Sequence, residues 1–289
     1  MRDFLPIGEW AEKTINFILE NDHGVLENLG DVVGEMTALT EQLLQLVPDW
    51  LLAGIFVAVG FWRLGWKFAL ISAAAFVVII GTGFWPATMV TLALIIAATL
   101  ISLLVGIPLG IAAALNRRIN YFLRPVLDFM QTMPAFVYLI PAAMVFGLGR
   151  VPAVLATVIF AMPPVVRLTA LGIRQVNKEQ VEAGITFGCT PLQVLLKIQI
   201  PGALPSIMAG INQTIMMALS MVIIASMVGG GGLGNNVLAS IQRLDIGLGF
   251  ESGLAVVLLA IILDRLTESF GVRKEERIAR RQGGQGQES

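Results

Sequence analysis

Few residues in this sequence can make or break a covalent bond. It has one histidine, His23, and one cysteine, Cys189. A Ser-His-Asp triad, a histidine-based metal cluster and a zinc site built on several cysteines are all excluded. The run Gly229-Gly230-Gly231-Gly232-Leu233-Gly234 has the outline of a phosphate loop. It carries no lysine and follows no strand pattern, and Gly-x-x-x-x-Gly-Lys-Ser/Thr occurs nowhere in the chain. Close backbone packing or a gate is the better reading, since glycine tolerates φ > 0 and tight approach. No set of nucleophile, base and acid can be assembled, so an enzyme is the least favoured class. No cofactor or metal is expected in this chain.

Informative spacing lies instead in residues 172–204, the longest polar segment between apolar stretches. A first helix runs through Glu182 and Ala183. Gly188 ends it, as a glycine just past a helix end does. Thr190 can cap a second helix, Pro191 suits its first position and Gln193 completes a capping box. Pro201 and Pro205 are expected to stop this helix before the next apolar stretch. The product is a short helix–turn–helix outside any membrane. Leu192, Val194, Leu195 and Leu196 give it an apolar surface that requires a partner.

The elements that must carry this segment follow from composition. The chain is 56% hydrophobic and 13% charged, with a mean hydropathy of +0.81. A soluble domain averages roughly 45–50% apolar and about 25% charged. A soluble enzyme, a disordered chain and a nucleic-acid binder are therefore excluded, and an all-α integral membrane protein is expected. Uncharged stretches long enough to cross a bilayer predict seven spans. They are 46–62, two between Lys67 and Arg117 around the turn at 81–86, 129–149, 151–171, 205–228 and 248–266. The first is short unless Asp49 sits at the interface. Residues 229–247 read as a loop or re-entrant piece.

Lysine and arginine set the orientation. The loops near 63–67, 116–128 and 167–204 and the tail after 264 hold 15 of the 19 basic residues, and the opposite side holds four. The N-terminus is thus expected outside and the C-terminus inside. Residues 1–20 lack the uninterrupted apolar core of a signal peptide. Residues 25–39 form an amphipathic helix preceded by a turn at Asn21-Asp22-His23-Gly24, either lying on the bilayer or serving as a docking platform. No ionisable group is expected near the middle of a span, which argues against ion or proton coupling.

Glu182-Ala183-Gly184-x-x-x-Gly188, followed by nine residues and Ile198-x-Ile200-Pro201, resembles the EAA loop of binding-protein-dependent ABC importer permeases. Gly184 stands where that family usually has Ala, and Ile200 where it usually has Leu. The stretches 128–141, 160–169, 212–227 and 263–267 are similar to the glycine betaine/proline betaine branch of the family. The resemblance covers roughly 85–270.

The resemblance implies a type I ABC importer permease fold. An extracytoplasmic N-terminal segment at 1–45 would precede two accessory spans at 46–84. A permease core at 85–270 and a cytoplasmic tail at 271–289 would follow. It implies a homodimer in the bacterial cytoplasmic membrane, carried by two ATPase subunits that hold ATP and Mg. A separate extracytoplasmic binding protein would deliver the ligand. It makes Glu182, Ala183, Gly184, Gly188, Thr190, Pro191, Leu192, Ile198 and Pro201 the ATPase-coupling residues.

A quaternary ammonium ligand is best held by aromatic faces. Phe136, Tyr138, Phe146 and Phe160, with Met216 and Met217, are the pathway candidates. Packing is the alternative role for each. Gln131, Thr132, Thr169, Asn212, Gln213 and Ser226 read as helix–helix contacts, and Arg167 as an interface anchor with a role in a gate. The tail residues Arg273, Lys274, Arg277, Arg280 and Arg281 offer an anionic-lipid contact. Choline remains an alternative ligand to the betaines, and an autonomous channel or ion-coupled transporter is the alternative class.

Overall fold

The computed structural model describes residues 7–21 and 24–271. Asp22, His23 and the basic tail from Arg273 onward lie outside the described residues. Among the described residues every regular element is a helix.

An amphipathic pair, α1 (Ile7–Glu20) and α2 (Val25–Leu46), opens the chain. The apolar spacing expected at 25–39 continues to Leu46. The helix buries Val33 and Thr37 while Leu29, Val32, Leu39 and Leu43 stay exposed. Arg150 Nη2 donates to Glu41 Oε1 at 3.1 Å and holds α2 to the bundle. Two 16-residue helices follow, α3 (Asp49–Leu64) and α4 (Trp66–Gly81), paired against each other.

The core is built from α5 (Trp85–Leu115), α8 (Arg150–Ala161), α9 (Pro163–Gln175), α12 (Ile200–Ala225) and α14 (Ile246–Gly271). Met89, Leu92 and Ile95 of α5 pack with Val154, Val222, Leu259 and Ile262. With no hydrophobic drive between helices in lipid, close contact needs small residues. Gly106 and Gly110 place a bare face of α5 against α9. A Cβ on Gly110 would lie 2.8 Å from the Val166 carbonyl oxygen and 2.7 Å from Thr169 Cβ.

All seven expected spans are helical, but only four helical runs are long and apolar enough to cross alone: 85–115, 150–175, 191–225 and 246–270. Up to six runs cross if each bent pair counts as one span. The bent pairs are α2 with α3, at 96°, and α6 (Arg117–Thr132) with α7 (Ala135–Phe146), at 97°. The span expected at 129–149 is thus formed by the end of α6 and by α7, which meet at this bend. Met133, ahead of Pro134, is driven out of helical geometry to φ −70°, ψ 137°. At about 24 Å, 16 residues leave α4 shorter than a bilayer core.

The glycine run closes a clasp rather than a phosphate site. Ser226 Oγ donates to the Gly231 carbonyl at 2.6 Å, and the Leu233 N–H donates to Thr91 Oγ1 at 2.8 Å. A Cβ on Gly232 would lie 2.4 Å from Thr91 Oγ1. The run leads into α13 (Leu233–Arg243), whose 11 residues are too few to cross.

Candidate functional site

The 172–204 segment begins with α10 (Lys178–Thr186). Asn177 caps it, its side chain accepting from the Glu179 N–H at 2.8 Å. At the other end the Gly188 N–H donates to the Ile185 carbonyl at 2.9 Å and the Cys189 N–H to the Gly184 carbonyl at 3.0 Å. That pair of bonds is a Schellman closure, which demands a left-handed residue, and Gly188 supplies it at φ +83°. Thr190 and Gln193 then form the expected capping box. The Thr190 N–H donates to Gln193 Oε1 at 2.9 Å, and the Gln193 N–H to Thr190 Oγ1 at 3.4 Å.

Beyond α11 (Pro191–Val194) the structure departs from expectation. Pro201 and Pro205 do not stop the helix. Residues 191–225 form one continuous 35-residue run. A π turn, Leu195–Gln199, intervenes, with the Ile200 N–H donating to the Leu195 carbonyl. An i→i−5 bond widens the backbone just where the Pro201 ring would collide with the preceding turn. The helix–turn–helix is thus the projecting end of a membrane helix, not a detached pair.

The faces also sort differently. Val194 and Leu195 are buried within the chain, so they leave the expected partner surface. Leu192, at 63% exposed, and Leu196 remain on it. Ile185 and Phe187 join them, Phe187 at 88% exposed. These two were missed in the sequence. The signal was a phenylalanine between a polar helix end and a helix-ending glycine, with no span to receive it.

Glu182, Ala183, Thr190, Pro191 and Pro201 are exposed. Glu182 borders a small cleft with Arg174, Lys178 and Gln199. Gly184 is buried beneath Ile198, where a Cβ would lie 2.3 Å from Ile198 Cδ1. The bare glycine lets α10 seat on the helix that continues into the membrane. Replacing Thr190 by Ala removes one capping bond, worth about 1 kcal/mol. Amide exchange over residues 192–195 is expected to speed up about fivefold with the melting temperature unchanged. Hydrogen-exchange mass spectrometry reads this directly.

The pathway candidates do not converge on one place. Tyr138 and Phe160 face each other with ring centroids 6.5 Å apart. The Tyr138 hydroxyl donates to the Met130 carbonyl at 2.8 Å, bridging the bend between α6 and α7. Phe136 is exposed on α7. Phe146 packs on Gly30 of α2, and Met217 packs against the main core. Met216 borders a groove of about 440 Å³ with Asn212 and Gln213. Asn212 also ties α12 to α14, donating to Asp264 Oδ1 at 3.1 Å and accepting from Thr267. Arg167 forms an ion pair with Asp128 across α9 and α6. Among the described residues no group of side chains could hold a metal ion.

Residues 106–276 match the family described as binding-protein-dependent transport system inner membrane component. The chain is 47% identical to the glycine betaine/carnitine transport permease protein of Listeria monocytogenes, over 92% of this chain and 95% of the relative. It is 43% identical to the glycine betaine/proline betaine transport system permease protein of Escherichia coli, over 97% of this chain and 79% of the relative. Its fold is similar to the inward-facing MetNI methionine ABC transporter, with a TM-score of 0.56 at 20% identity, covering 64% of this chain and 94% of that one. The projecting α10–α11 segment, the apolar multi-helix core and this matched range together place the chain in the family of inner membrane components of binding-protein-dependent transport systems.

Proposed function

We propose that this permease passes glycine betaine, proline betaine and similar quaternary amines across the inner membrane as a homodimer. Two ATPase subunits bind ATP and Mg and dock on α10–α11. A binding protein delivers ligand on the opposite face. The N-terminus lies outside and the C-terminus inside, in line with the basic residues gathered on the α10–α11 side. The chain itself holds no cofactor and performs no catalysis.

One observation carries the coupling role. Exposed Phe187, at the end of α10, lies across the Gly188 turn from exposed Leu192, and Leu192 stands on a helical run that continues without a break into the membrane core. The named activities of the two relatives support the ligand class, as does a span region whose polar groups are mostly uncharged. The absence of hydrogen-bond donors on a quaternary ammonium suits such a path.

The test is uptake into proteoliposomes holding the permease with its ATPase, with binding protein and labelled glycine betaine outside and ATP inside. ATP-dependent accumulation resistant to excess choline is the expected result. Uptake that persists without the ATPase would replace this reading with a channel or ion-coupled transporter. Choline outcompeting glycine betaine would keep the machine and change its ligand.

A further inference from the structure

A cavity of about 390 Å³ opens between the C-terminal end of α5, α6 and α9, at the same end of the bundle as α10–α11. Three arginines line it, Arg124, Arg167 and Arg174, against one carboxylate, Asp128. Asp128 is already committed to Arg167. Arg174 caps α5 by donating to the Ala113 and Ala114 carbonyls. Asn120, with its amide oxygen turned inward, accepts from Arg124 Nε at 3.2 Å and from Arg174 Nη1 at 3.1 Å. Two guanidinium groups are thereby held side by side by one neutral oxygen. Their charge is left without a carboxylate of its own in the cavity.

The rest of the wall is apolar, including Leu123, Leu127, Val166 and Leu171. The outer face of α6 continues this character. Phe122, Val126 and Phe129 are exposed at i, i+4 and i+7. A paired-arginine pole beside an apolar wall, at the edge of a membrane helix bundle, matches the two-part chemistry of a phospholipid. We propose that this cavity binds an anionic phospholipid. Its phosphodiester sits between Arg124 and Arg174, and its first acyl carbons lie against Leu123 and Leu171. A soluble phosphate would satisfy the arginines and leave the apolar wall unused.

The test is native mass spectrometry of the intact permease–ATPase complex, released from nanodiscs of phosphatidylcholine with phosphatidylglycerol. Wild type is expected to retain one phosphatidylglycerol per permease chain more than Arg124→Gln does. Arg124→Lys should keep most of it. Arg117→Gln, which removes the same charge from the exposed start of α6, should retain it fully. Size-exclusion profiles of the variants confirm that each is folded.

Equal loss in the Arg117 and Arg124 variants would overturn the site in favour of general surface charge. Displacement of the lipid by millimolar glycerol 1-phosphate would reassign it to a soluble anion. Absence of bound phosphatidylglycerol in wild type would mean that a second copy or the ATPase fills the cavity. The count requires neither transport nor a particular orientation, so its failure is separable from failure of the proposed function.

Discussion

Replacing Phe187 by Asp is expected to abolish ATP-dependent uptake while leaving membrane insertion and the melting temperature of the isolated permease unchanged. The side chain is 88% exposed, so folding within the chain gains little from it. In an assembled complex, an aromatic ring beside Leu192 has the character of an interface anchor, worth about 2 kcal/mol or more when truncated. A carboxylate there adds the cost of burying an unpaired charge. The combined effect is a loss of ATPase association of at least about a hundredfold, read by co-purification and by substrate-stimulated ATP hydrolysis. The milder Phe187→Ala should weaken association about thirtyfold by the truncation term alone. Normal co-purification of the Asp variant would remove Phe187 from the docking surface.

Replacing Gly110 by Leu should act through folding instead. The first added carbon would lie 2.8 Å from a backbone oxygen of α9, which has no rotamer to yield. Either α5 or α9 must move, and α5 packs against α9 more extensively than against any other helix. A penalty on the order of 3 kcal/mol or more is expected, above ordinary overpacking because backbone rather than side chain is struck. The measurement is thermal unfolding in detergent, with folded yield as a second reading. Gly54→Leu is the matched control. A Cβ on Gly54 meets no heavy atom within 4 Å among the described residues, so its stability should hold to within about 0.5 kcal/mol. Equal losses in the two variants would make the effect one of helix propensity or insertion, not packing.

Local chemistry in the 172–204 segment was readable from residue types because short-range bonds govern it. Thr190, Pro191 and Gln193 make a cap that needs nothing beyond a few residues, and Gly188 supplies a dihedral that other residues resist. The same confidence in local rules misled at Pro201. A proline ordinarily ends a helix, yet the wide turn at Leu195–Gln199 removes the collision, and nothing in the residue types there announces a π turn. Val194 and Leu195 were assigned to a partner surface because an apolar residue outside a span must be covered by something. The partner turned out to lie within the chain: Leu195 packs with Ile173, Ala203 and Ile207. Apolar content told where helices lie but not whether they are straight. Hydropathy is blind to direction, so the uncharged stretch 129–149 carried no measure of the 97° bend at Met133–Pro134. The pathway residues were least legible, since an aromatic that lines a passage and one that fills a gap look alike until a neighbour is known.

The unbroken run from Pro191 to Ala225 has a mechanical meaning. Thirty-five helical residues make a rod of about 50 Å, and tilting it ~5° about its middle moves each tip by ~2 Å. One tip carries Leu192. The other enters the turn in which Ser226 holds Gly231, next to the seat of Leu233 on Thr91. A single helical run therefore spans the distance between these two tips. Moving as a rod, it would turn a displacement at Leu192 into one of opposite sense at the Thr91 clasp. The regular hydrogen-bond ladder of that helix is interrupted at the turn over Leu195–Gln199 and again at Pro205, both in the half of the run nearest the loaded tip, where any slack would set how much of the stroke is delivered.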